Sequence, residues 1–276
     1  MAVPFARLPT LLILSLCLLT PGCIADAFVL GSNREQLRAD GLRRELVRYD
    51  GGVVECWVAR SQSGHDGEPE AFVLFFVGKT DRAERWTAAV ADAWGDRPVE
   101  VWGVNYPGSG RSDGPAQLAR VAPAALAVFD AMSERAAGRP VFAQAASFGT
   151  VTALAVAARR PLRGLVLENP PPLRQLILGE HGWWNLWLLA GLAASEVPTE
   201  LDSLANARRA TAPAVFILHG ADEVVPPKYQ RRVVDAYAGP KQVIPMPGAR
   251  HAEALTREAA DDVAHARQWL LQNSAR

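Results

Sequence analysis

The chain is predicted to fold as an α/β protein with a mostly parallel sheet of eight strands flanked by helices. Short apolar and β-branched runs alternate with longer segments whose apolar residues recur at helical spacing. This alternation is typical of β-α-β units. The 276 residues, 49% of them hydrophobic, are enough for one large core, and no Pro, Gly or Ser-rich linker divides them. One folded domain is therefore expected.

Eight segments carry the strand pattern. They read ELVRYD, VVECWVA, AFVLFFV, VEVWGVN, PVFAQA, GLVLEN, AVFILHG and KQVIPMP. The first two flank DGG at 50–52, a hairpin signal that predicts an antiparallel edge. The last six are separated by enough residues for crossover helices, which predicts parallel pairing.

The helices are predicted from stripes of apolar residues. One is expected to begin at Asp81, where Glu84 three residues later completes a capping pattern. A second stripe runs from Leu118 to Met132, and a third from Leu255 to Leu270. These stripes supply the faces that would pack on the sheet.

The segment 170–212 breaks the alternation between the sixth and seventh strands. It contains NPPP and then GWWNLWLLAGLAA, in which Trp183, Trp184, Trp187 and Leu188 recur at helical spacing. An insertion here would stand above the carboxyl ends of the strands, where open α/β sheets bind ligands. The sequence predicts a small cap with two open interpretations: a lid helix packed on the core, or tryptophans that line an acyl pocket or touch lipid.

Residues 1–27 are predicted to be an export leader, followed by the folded domain over 28–276. The apolar run LLILSLCLL is too short to span a bilayer comfortably and has the length of a signal-peptide core. LTPGC, ending at Cys23, resembles a bacterial lipobox with a lipidated cysteine, whereas ADA at 25–27 fits an ordinary cleavage site. Both routes stay open, with a retained N-terminal membrane anchor as the third. Each predicts an exported protein of the periplasm or cell envelope.

Charge and cysteine content exclude several functions. The 29 Lys and Arg residues balance 29 Asp and Glu residues, so no global field attracts nucleic acid, which is not an expected partner. Cys17 and Cys23 belong to the leader or its edge, which leaves Cys56 without a pairing partner and predicts no disulfide framework. No metal-ligand cluster, Walker loop or dinucleotide fingerprint occurs in the sequence. No metal or other cofactor is expected.

One serine, Ser147, stands between an apolar strand and an Ala-rich helix in VFAQAASFGTV. A sharp strand-to-helix turn strains its middle residue, and the two backbones approach so closely that the residues two before and two after must be small. Ala145 and Gly149 meet that need. A hydroxyl held there is exposed to substrate, and the helix N-terminus offers a backbone N–H to an oxyanion. Ser147 is the candidate nucleophile.

This turn resembles the nucleophile elbow of the α/β-hydrolase superfamily, G-x-S-x-G, with Ala145 in place of the first glycine. The resemblance implies a carboxylate and a histidine later in the chain, because a serine needs a base and the base needs an orienting acid. VFILHGADEVVPP resembles the acid-bearing loop and places Asp222 just past the seventh strand, with Glu223 as a poorer candidate.

Five histidines compete for the role of base. His251 follows the last strand in MPGARHAEA, where the superfamily keeps its base. His65 and His181 precede the acid, His219 is expected to be a packed core residue, and His265 falls on the solvated side of the terminal helix. The predicted triad is therefore completed by His251.

The resemblance also implies an oxyanion hole made of two backbone N–H groups. One belongs to Phe148, and the other to Lys79 in FFVGKTD, where Val77 replaces the usual histidine and Gly78 remains beside the pocket. The loop VNYPGSGRSDG resembles the Y-x-G-x-G-x-S loop of the serine-aminopeptidase-like branches, and Tyr106 is expected to edge the pocket.

The resemblance covers about residues 40–272 and implies a serine hydrolase that cleaves an ester, thioester or amide through an acyl-enzyme intermediate. A carboxylesterase acting on a small-molecule or lipid-like acyl substrate is the favoured form. The rival interpretation is a catalytically silent envelope protein of this fold that binds or assembles partners, motivated by Val77 and Ala145. Against the rival, all three triad positions hold competent residues.

Overall fold

The fold is that of a computed structural model, which describes residues 23–61, 67–95, 97–181 and 188–273. The strands are β1 Arg43–Tyr49, β2 Gly52–Arg60, β3 Ala71–Phe76, β4 Val99–Val104, β5 Val141–Ala146, β6 Gly164–Glu168, β7 Ala214–His219 and β8 Lys241–Met246. The helices are α1 Cys23–Val29, α2 Thr87–Asp92, α3 Leu118–Ala136, α4 Phe148–Ala157, α5 Leu173–His181, α6 Leu188–Glu196, α7 Ser203–Ala207, α8 Pro227–Ala236 and α9 Arg257–Asn273.

The eight strands form one sheet in the order β1-β2-β4-β3-β5-β6-β7-β8. β1 and β2 make the predicted antiparallel hairpin, and β2 also pairs antiparallel with β4. The remaining neighbours pair in parallel. The prediction of a mostly parallel eight-stranded sheet is confirmed, and each predicted segment supplies one strand.

Helices cover both faces of this sheet, which explains why β3, β4 and β7 are buried along their whole length. Helix α2 contacts β2 and β4, while α9 contacts β6, β7 and β8. Arg267 of α9 joins these two helices by donating to the carbonyl oxygen of Ala93. A second series of contacts runs from α3 to α4, from α4 to α7 and from α7 to α8.

The predicted helix cap at Asp81 and Glu84 is wrong. The chain first makes a 3-10 turn, and neither that turn nor α2 has a side-chain N-cap. Asp81 instead accepts a hydrogen bond from Trp86 Nε1 at 2.6 Å, and Glu84 is buried against Arg82 and Asn105. A buried guanidinium needs a carboxylate partner, and this need takes Glu84 away from the helix end.

The segment 170–212 contains α5, α6 and α7, with α5 packed on α6. On α6 three leucines are exposed to solvent: Leu188, Leu189 and Leu192. The tryptophans predicted to mark the cap lie outside the described residues: Trp183, Trp184 and Trp187. Their part in a pocket stays a prediction.

Helix α1 packs against α6 and α3, although its first residues precede the boundary predicted at residue 27. The backbone N–H groups of Ile24 and Ala25 donate to Glu196 Oε2 at 3.1 and 3.0 Å. Asp26 Oδ1 accepts the N–H of Leu118, the first residue of α3, at 2.7 Å. These residues are therefore integrated into the fold.

The leader core LLILSLCLL lies outside the described residues, as does the side chain of Cys23. Within the described part of the chain, no helix combines the length and the hydropathy that a membrane span requires. Cys56 of β2 is buried with a free thiol, and burial raises the pKa of that thiol. It behaves as a small apolar core residue, as its strand position predicts.

Candidate active site

Ser147 sits at the turn from β5 into α4 with a positive φ of 51° and a ψ of −124°. Its N–H donates to the carbonyl oxygen of Glu168 at 2.8 Å, which extends the β5–β6 ladder up to the turn. Gly149 has no room for a side chain, because an added Cβ would lie 2.2 Å from the carbonyl oxygen of Phe76. The close approach of helix and strand that the sequence predicted is present.

The structure brings together the three residues predicted to form the triad. His251 Nε2 lies 3.0 Å from Ser147 Oγ, although the two residues are 104 positions apart. His251 Nδ1 lies 2.7 Å from Asp222 Oδ2. A carboxylate only accepts, so Nδ1–H donates to it and Nε2 is left to accept the serine proton. The three side chains form one continuous chain of contacts from the serine hydroxyl to the carboxylate.

Asp222 is buried and held in place by its own loop. Its Oδ1 accepts the N–H groups of Val224 and Val225, each at 2.8 Å. Its Oδ2, which faces His251, also accepts from Gln230 Nε2 at 3.2 Å. The neighbouring carboxylate of Glu223 is exposed and pairs with Arg250, so it takes no part in this arrangement.

Gln230, on α8, is a site residue that the sequence did not reveal. It is fully buried, and its amide accepts from the His219 N–H and donates to the His219 carbonyl oxygen, both at 3.1 Å. The same Nε2 lies 2.7 Å from the Val225 carbonyl oxygen, so its two N–H groups are shared among three acceptors. One amide therefore joins the end of β7 to the acid. A glutamine on the buried face of an amphipathic helix was the available signal.

Asn169, directly after β6, contacts the backbone of His251. Its Nδ2 donates to the carbonyl oxygen of His251 at 3.0 Å, and its backbone has a φ of 51°. Its Oδ1 is buried without a hydrogen-bond partner among the described residues. The sequence did not single out Asn169. An asparagine ending a buried strand was the signal, since asparagine tolerates positive φ.

The residues predicted for the oxyanion hole and pocket edge surround the elbow. A Cβ added to Gly78 would be 3.8 Å from the Ser147 Cβ, so this loop borders Ser147. The side chain of Lys79 is exposed, and Phe148 begins α4. The roles of the Lys79 and Phe148 N–H groups stay predictions.

Tyr106 is buried, and its hydroxyl donates to the Val77 carbonyl oxygen at 3.0 Å. Its ring packs edge-on against Phe148 with centroids 5.4 Å apart. Tyr106 thus fixes the loop after β3 against the elbow. Because the acceptor is the backbone carbonyl oxygen of Val77, this contact does not require the histidine that is usual at position 77. Its place at the pocket edge remains a prediction.

No group of three or more His, Cys, Asp and Glu residues in the described ranges is arranged to hold a metal ion. At the site Asp222 contacts His251, and Glu223 pairs with Arg250. The arrangement of Ser147, His251 and Asp222 is suited to proton transfer and nucleophilic attack by a hydroxyl.

Comparison with known proteins agrees with this architecture. A family model described as serine aminopeptidase, S33 matches residues 67–194, a span that includes Ser147 and ends before the acid and the base. An esterase of Pyrococcus furiosus, Pf2001, superposes with a TM-score of 0.65 at 12% identity, over 88% of this chain and 96% of that one. The protein has the α/β-hydrolase fold.

Other solved structures of the α/β-hydrolase fold are similar over comparable lengths. Est1E of Butyrivibrio proteoclasticus gives a TM-score of 0.64 at 16% identity, covering 84% of this chain and 99% of that one. An acylaminoacyl peptidase of Pyrococcus horikoshii gives 0.61 at 12% identity, covering 86% of this chain and 42% of that one. No curated protein matches by sequence. The family match and the esterase neighbours together support a hydrolase of the α/β fold.

Proposed function

We propose that this protein is a serine hydrolase that uses Ser147 as the nucleophile, His251 as the general base and Asp222 as the orienting acid. The observation that carries the proposal is the chain of contacts at 3.0 and 2.7 Å from the serine hydroxyl to the buried carboxylate. A serine hydroxyl is a weak nucleophile, and a neutral imidazole within hydrogen-bond distance is what activates it. The strained turn supports the same role, because it holds Oγ toward substrate.

The proposed reaction has two halves. As Ser147 Oγ attacks the acyl carbon, His251 Nε2 takes its proton, and Asp222 stabilises the imidazolium. His251 then protonates the leaving group, and an acyl-enzyme remains. In the second half His251 takes a proton from a water molecule, and that water attacks the acyl carbon. His251 then returns the proton to Ser147 Oγ as the carboxylic acid product leaves. The developing oxyanion would be held by the N–H groups of Phe148 and Lys79.

A carboxylesterase acting on an apolar acyl group is the favoured form of this activity. The exposed leucines of α6 support it, because they place apolar surface on the segment between β6 and β7. Ala145 and Val77 depart from the usual motifs, but these departures do not favour a catalytically silent protein. Ala145 is buried within β5, and residue 77 is used through its carbonyl oxygen, so neither removes a reacting group.

We also propose that the protein is exported and that its mature form retains residues 23–29. Cleavage after Ala27 would remove Ile24, Ala25 and Asp26, whose contacts with Glu196 and Leu118 support their retention. Processing before Cys23, or a retained leader attached to the membrane, preserves those contacts. The mass of the protein purified from cell envelopes distinguishes these routes, and a chain beginning at Phe28 would contradict the proposal.

The function is tested by labelling the purified protein with a fluorophosphonate probe, which reacts with activated serines. We expect wild-type protein to be labelled, and S147A and H251A to remain unlabelled. Two matched controls should label like wild type: S133A, at an exposed serine of α3, and H265A, at an exposed histidine of α9. Folded wild-type protein that takes up no probe would contradict the serine-hydrolase proposal and favour the silent binding protein.

If labelling depends on both triad residues, hydrolysis of p-nitrophenyl esters of increasing chain length identifies the acyl preference. A rate that rises with chain length would support an apolar acyl site, whereas cleavage of amides but not esters would assign a peptidase.

A further inference from the structure

His219, the last residue of β7, is a fully buried histidine with an oxygen atom close to each ring nitrogen. Its Nδ1 lies 2.7 Å from the carbonyl oxygen of Arg250, and its Nε2 lies 3.1 Å from Glu168 Oε1. A carbonyl can only accept, so Nδ1 carries a proton. The charge state of the ring then depends on Nε2.

A neutral ring would be unfavourable at this position. With its one proton on Nδ1, the buried Nε2 would lie 3.1 Å from a carboxylate oxygen of Glu168 and would have no hydrogen-bond donor among the described residues. A second proton on Nε2 makes an ion pair with that carboxylate instead. Nε2 has no aligned hydrogen-bond acceptor among the described residues, so the attraction to Glu168 is one of charge.

The surrounding groups favour the charged ring. Burial by itself would lower the pKa of His219, but the Glu168 carboxylate, the Arg250 carbonyl and the charge of Asp222 together raise it. Gln230 of α8 adds only a neutral amide. On α9, Arg267 lies within electrostatic range of Glu168.

Two further charged or titratable groups belong to the loop after β8. The Arg250 side chain is exposed and pairs with Glu223, and His251 pairs with Asp222. Neither side chain supplies the contacts that hold the His219 ring, which come from a carbonyl oxygen and from Glu168.

This pair connects the parts of the triad that the chain keeps far apart. Arg250, whose carbonyl oxygen His219 holds, directly precedes the base. Glu168 accepts the Ser147 N–H through its own carbonyl oxygen, and the next residue, Asn169, donates to His251. The ring of His219 therefore bridges the strand that supports the elbow and the loop that carries the base.

We propose that His219 is a positioning residue which, as an imidazolium paired with Glu168, fixes the base loop against the elbow, and whose deprotonation sets an alkaline limit on activity. This inference rests on the proposed serine-hydrolase function. His251 must accept the serine proton at Nε2, which requires the base loop to hold that nitrogen within hydrogen-bond distance of Ser147 Oγ. At higher pH His219 becomes neutral, its attraction to Glu168 is lost, and activity falls.

The test compares the pH profiles of p-nitrophenyl ester hydrolysis for wild type, H219Q, E168Q and the exposed-histidine control H265Q. Glutamine can still donate to Arg250 but has no titrating proton. We expect H219Q to lose the alkaline limb, which is the fall in activity at high pH. H219Q should also lower kcat roughly 10- to 100-fold with KM retained, because a slightly misplaced base slows proton transfer. E168Q should move the limb to lower pH, and H265Q should overlay wild type.

An alkaline limb that persists unchanged in H219Q would overturn the inference, since a merely structural histidine would lower the rate at all pH values alike. E168Q with an unmoved limb would also contradict it, because the carboxylate is the group that holds the second proton.

A second measurement separates this inference from the proposed function, because it needs no turnover. Thermal unfolding is followed against pH for S147A and for the S147A/H219Q double variant. Because the pKa of His219 is raised in the folded protein, its contribution to the free energy of unfolding is fully present below the ordinary pKa of 6.5. That contribution is lost as pH rises through the higher pKa of the folded state. The difference in Tm should therefore shrink with rising pH.

The outcomes are distinct. If wild type takes up no fluorophosphonate and the Tm difference still depends on pH, the serine-hydrolase proposal fails and the charged pair stands. If wild type is labelled and the Tm difference is the same at all pH values, the inference about His219 fails while the function stands.

Discussion

Backbone strain at single residues marks the site. Four non-glycine residues in the described ranges have positive φ, and three of them, Thr80, Ser147 and Asn169, follow β3, β5 and β6. Such conformations cost about 1–3 kcal/mol each and persist where surrounding contacts fix them. Here the contacts are the Ser147 N–H to Glu168 and the Asn169 amide to His251. The strain is concentrated at Ser147 and in the loops that border it.

At the residue scale we predict that Q230L lowers kcat roughly 10- to 100-fold with little change in KM. Leucine has a similar size but removes the donor to Asp222 Oδ2 and leaves both His219 backbone groups without a partner. The acid then orients His251 less well, while substrate contacts are untouched. Steady-state kinetics on folded protein measure the effect.

The matched control is Q268L, which removes an exposed glutamine from α9. It should retain wild-type kcat. A Q230L protein with wild-type kcat would show that the loop N–H groups of Val224 and Val225 orient the acid without the amide.

The elements meet most tightly where α4 passes the end of β3. The nucleophile helix starts immediately after a strained turn, and Gly149 in its first turn faces the carbonyl oxygens of Phe76 and Val77. A backbone atom cannot move aside as a flexible side chain can. Packing of a helix against a strand therefore dictates glycine at this position.

At the element scale we predict that G149A destabilises the protein by about 1–3 kcal/mol or more. Its Cβ would lie 2.2 Å from the Phe76 carbonyl oxygen, so α4 must shift away from β3 and carry Ser147 with it. Urea unfolding measures the loss, and fluorophosphonate labelling should slow in parallel.

G191A provides the opposite expectation at another helical glycine. An added Cβ at Gly191 of α6 meets nothing within 4 Å, so alanine should stabilise by about 0.5–1 kcal/mol through helix propensity. Equal stability of G149A and G191A would contradict the account of close packing.

Over the whole molecule, the parallel sheet brings loops from distant parts of the chain together at the carboxyl ends of its strands. Ser147 follows β5, Asp222 follows β7 and His251 follows β8, and parallel strands end at the same side of the sheet. Helix α1 packs on the same folded domain, because it contacts both α6 and α3. Helix α6 of the segment 170–212 thus packs on both α5 and α1.

At this scale we predict that a chain starting at Phe28 is less stable than one starting at Cys23 by about 2–5 kcal/mol. The shorter chain loses burial of Ile24 and Ala25, and it loses the Asp26 carboxylate that accepts the first N–H of α3. Urea unfolding of the two purified chains measures the difference. Indistinguishable midpoints would show that α1 contributes nothing to the fold.

The sequence by itself determined the strands and the elbow, for a local reason. Apolar runs and their spacing decide which segments lie in the sheet, and the small residues around Ser147 are required by a turn that one short stretch encodes. Asp222 and His251 could be nominated because each follows a predicted strand at a place that the resemblance to α/β-hydrolases implies, and the structure brings His251 into contact with both Asp222 and Ser147.

Only the tertiary structure decided which polar groups meet in the interior. No sequence pattern distinguished Gln230, Asn169 or the pair of His219 and Glu168. The pattern around Glu84 predicted a helix cap that the structure does not have. Burial makes an unpaired polar group costly, so these side chains take whichever partner the packed chain brings within reach. That partner lies on another element, and no local pattern encodes it.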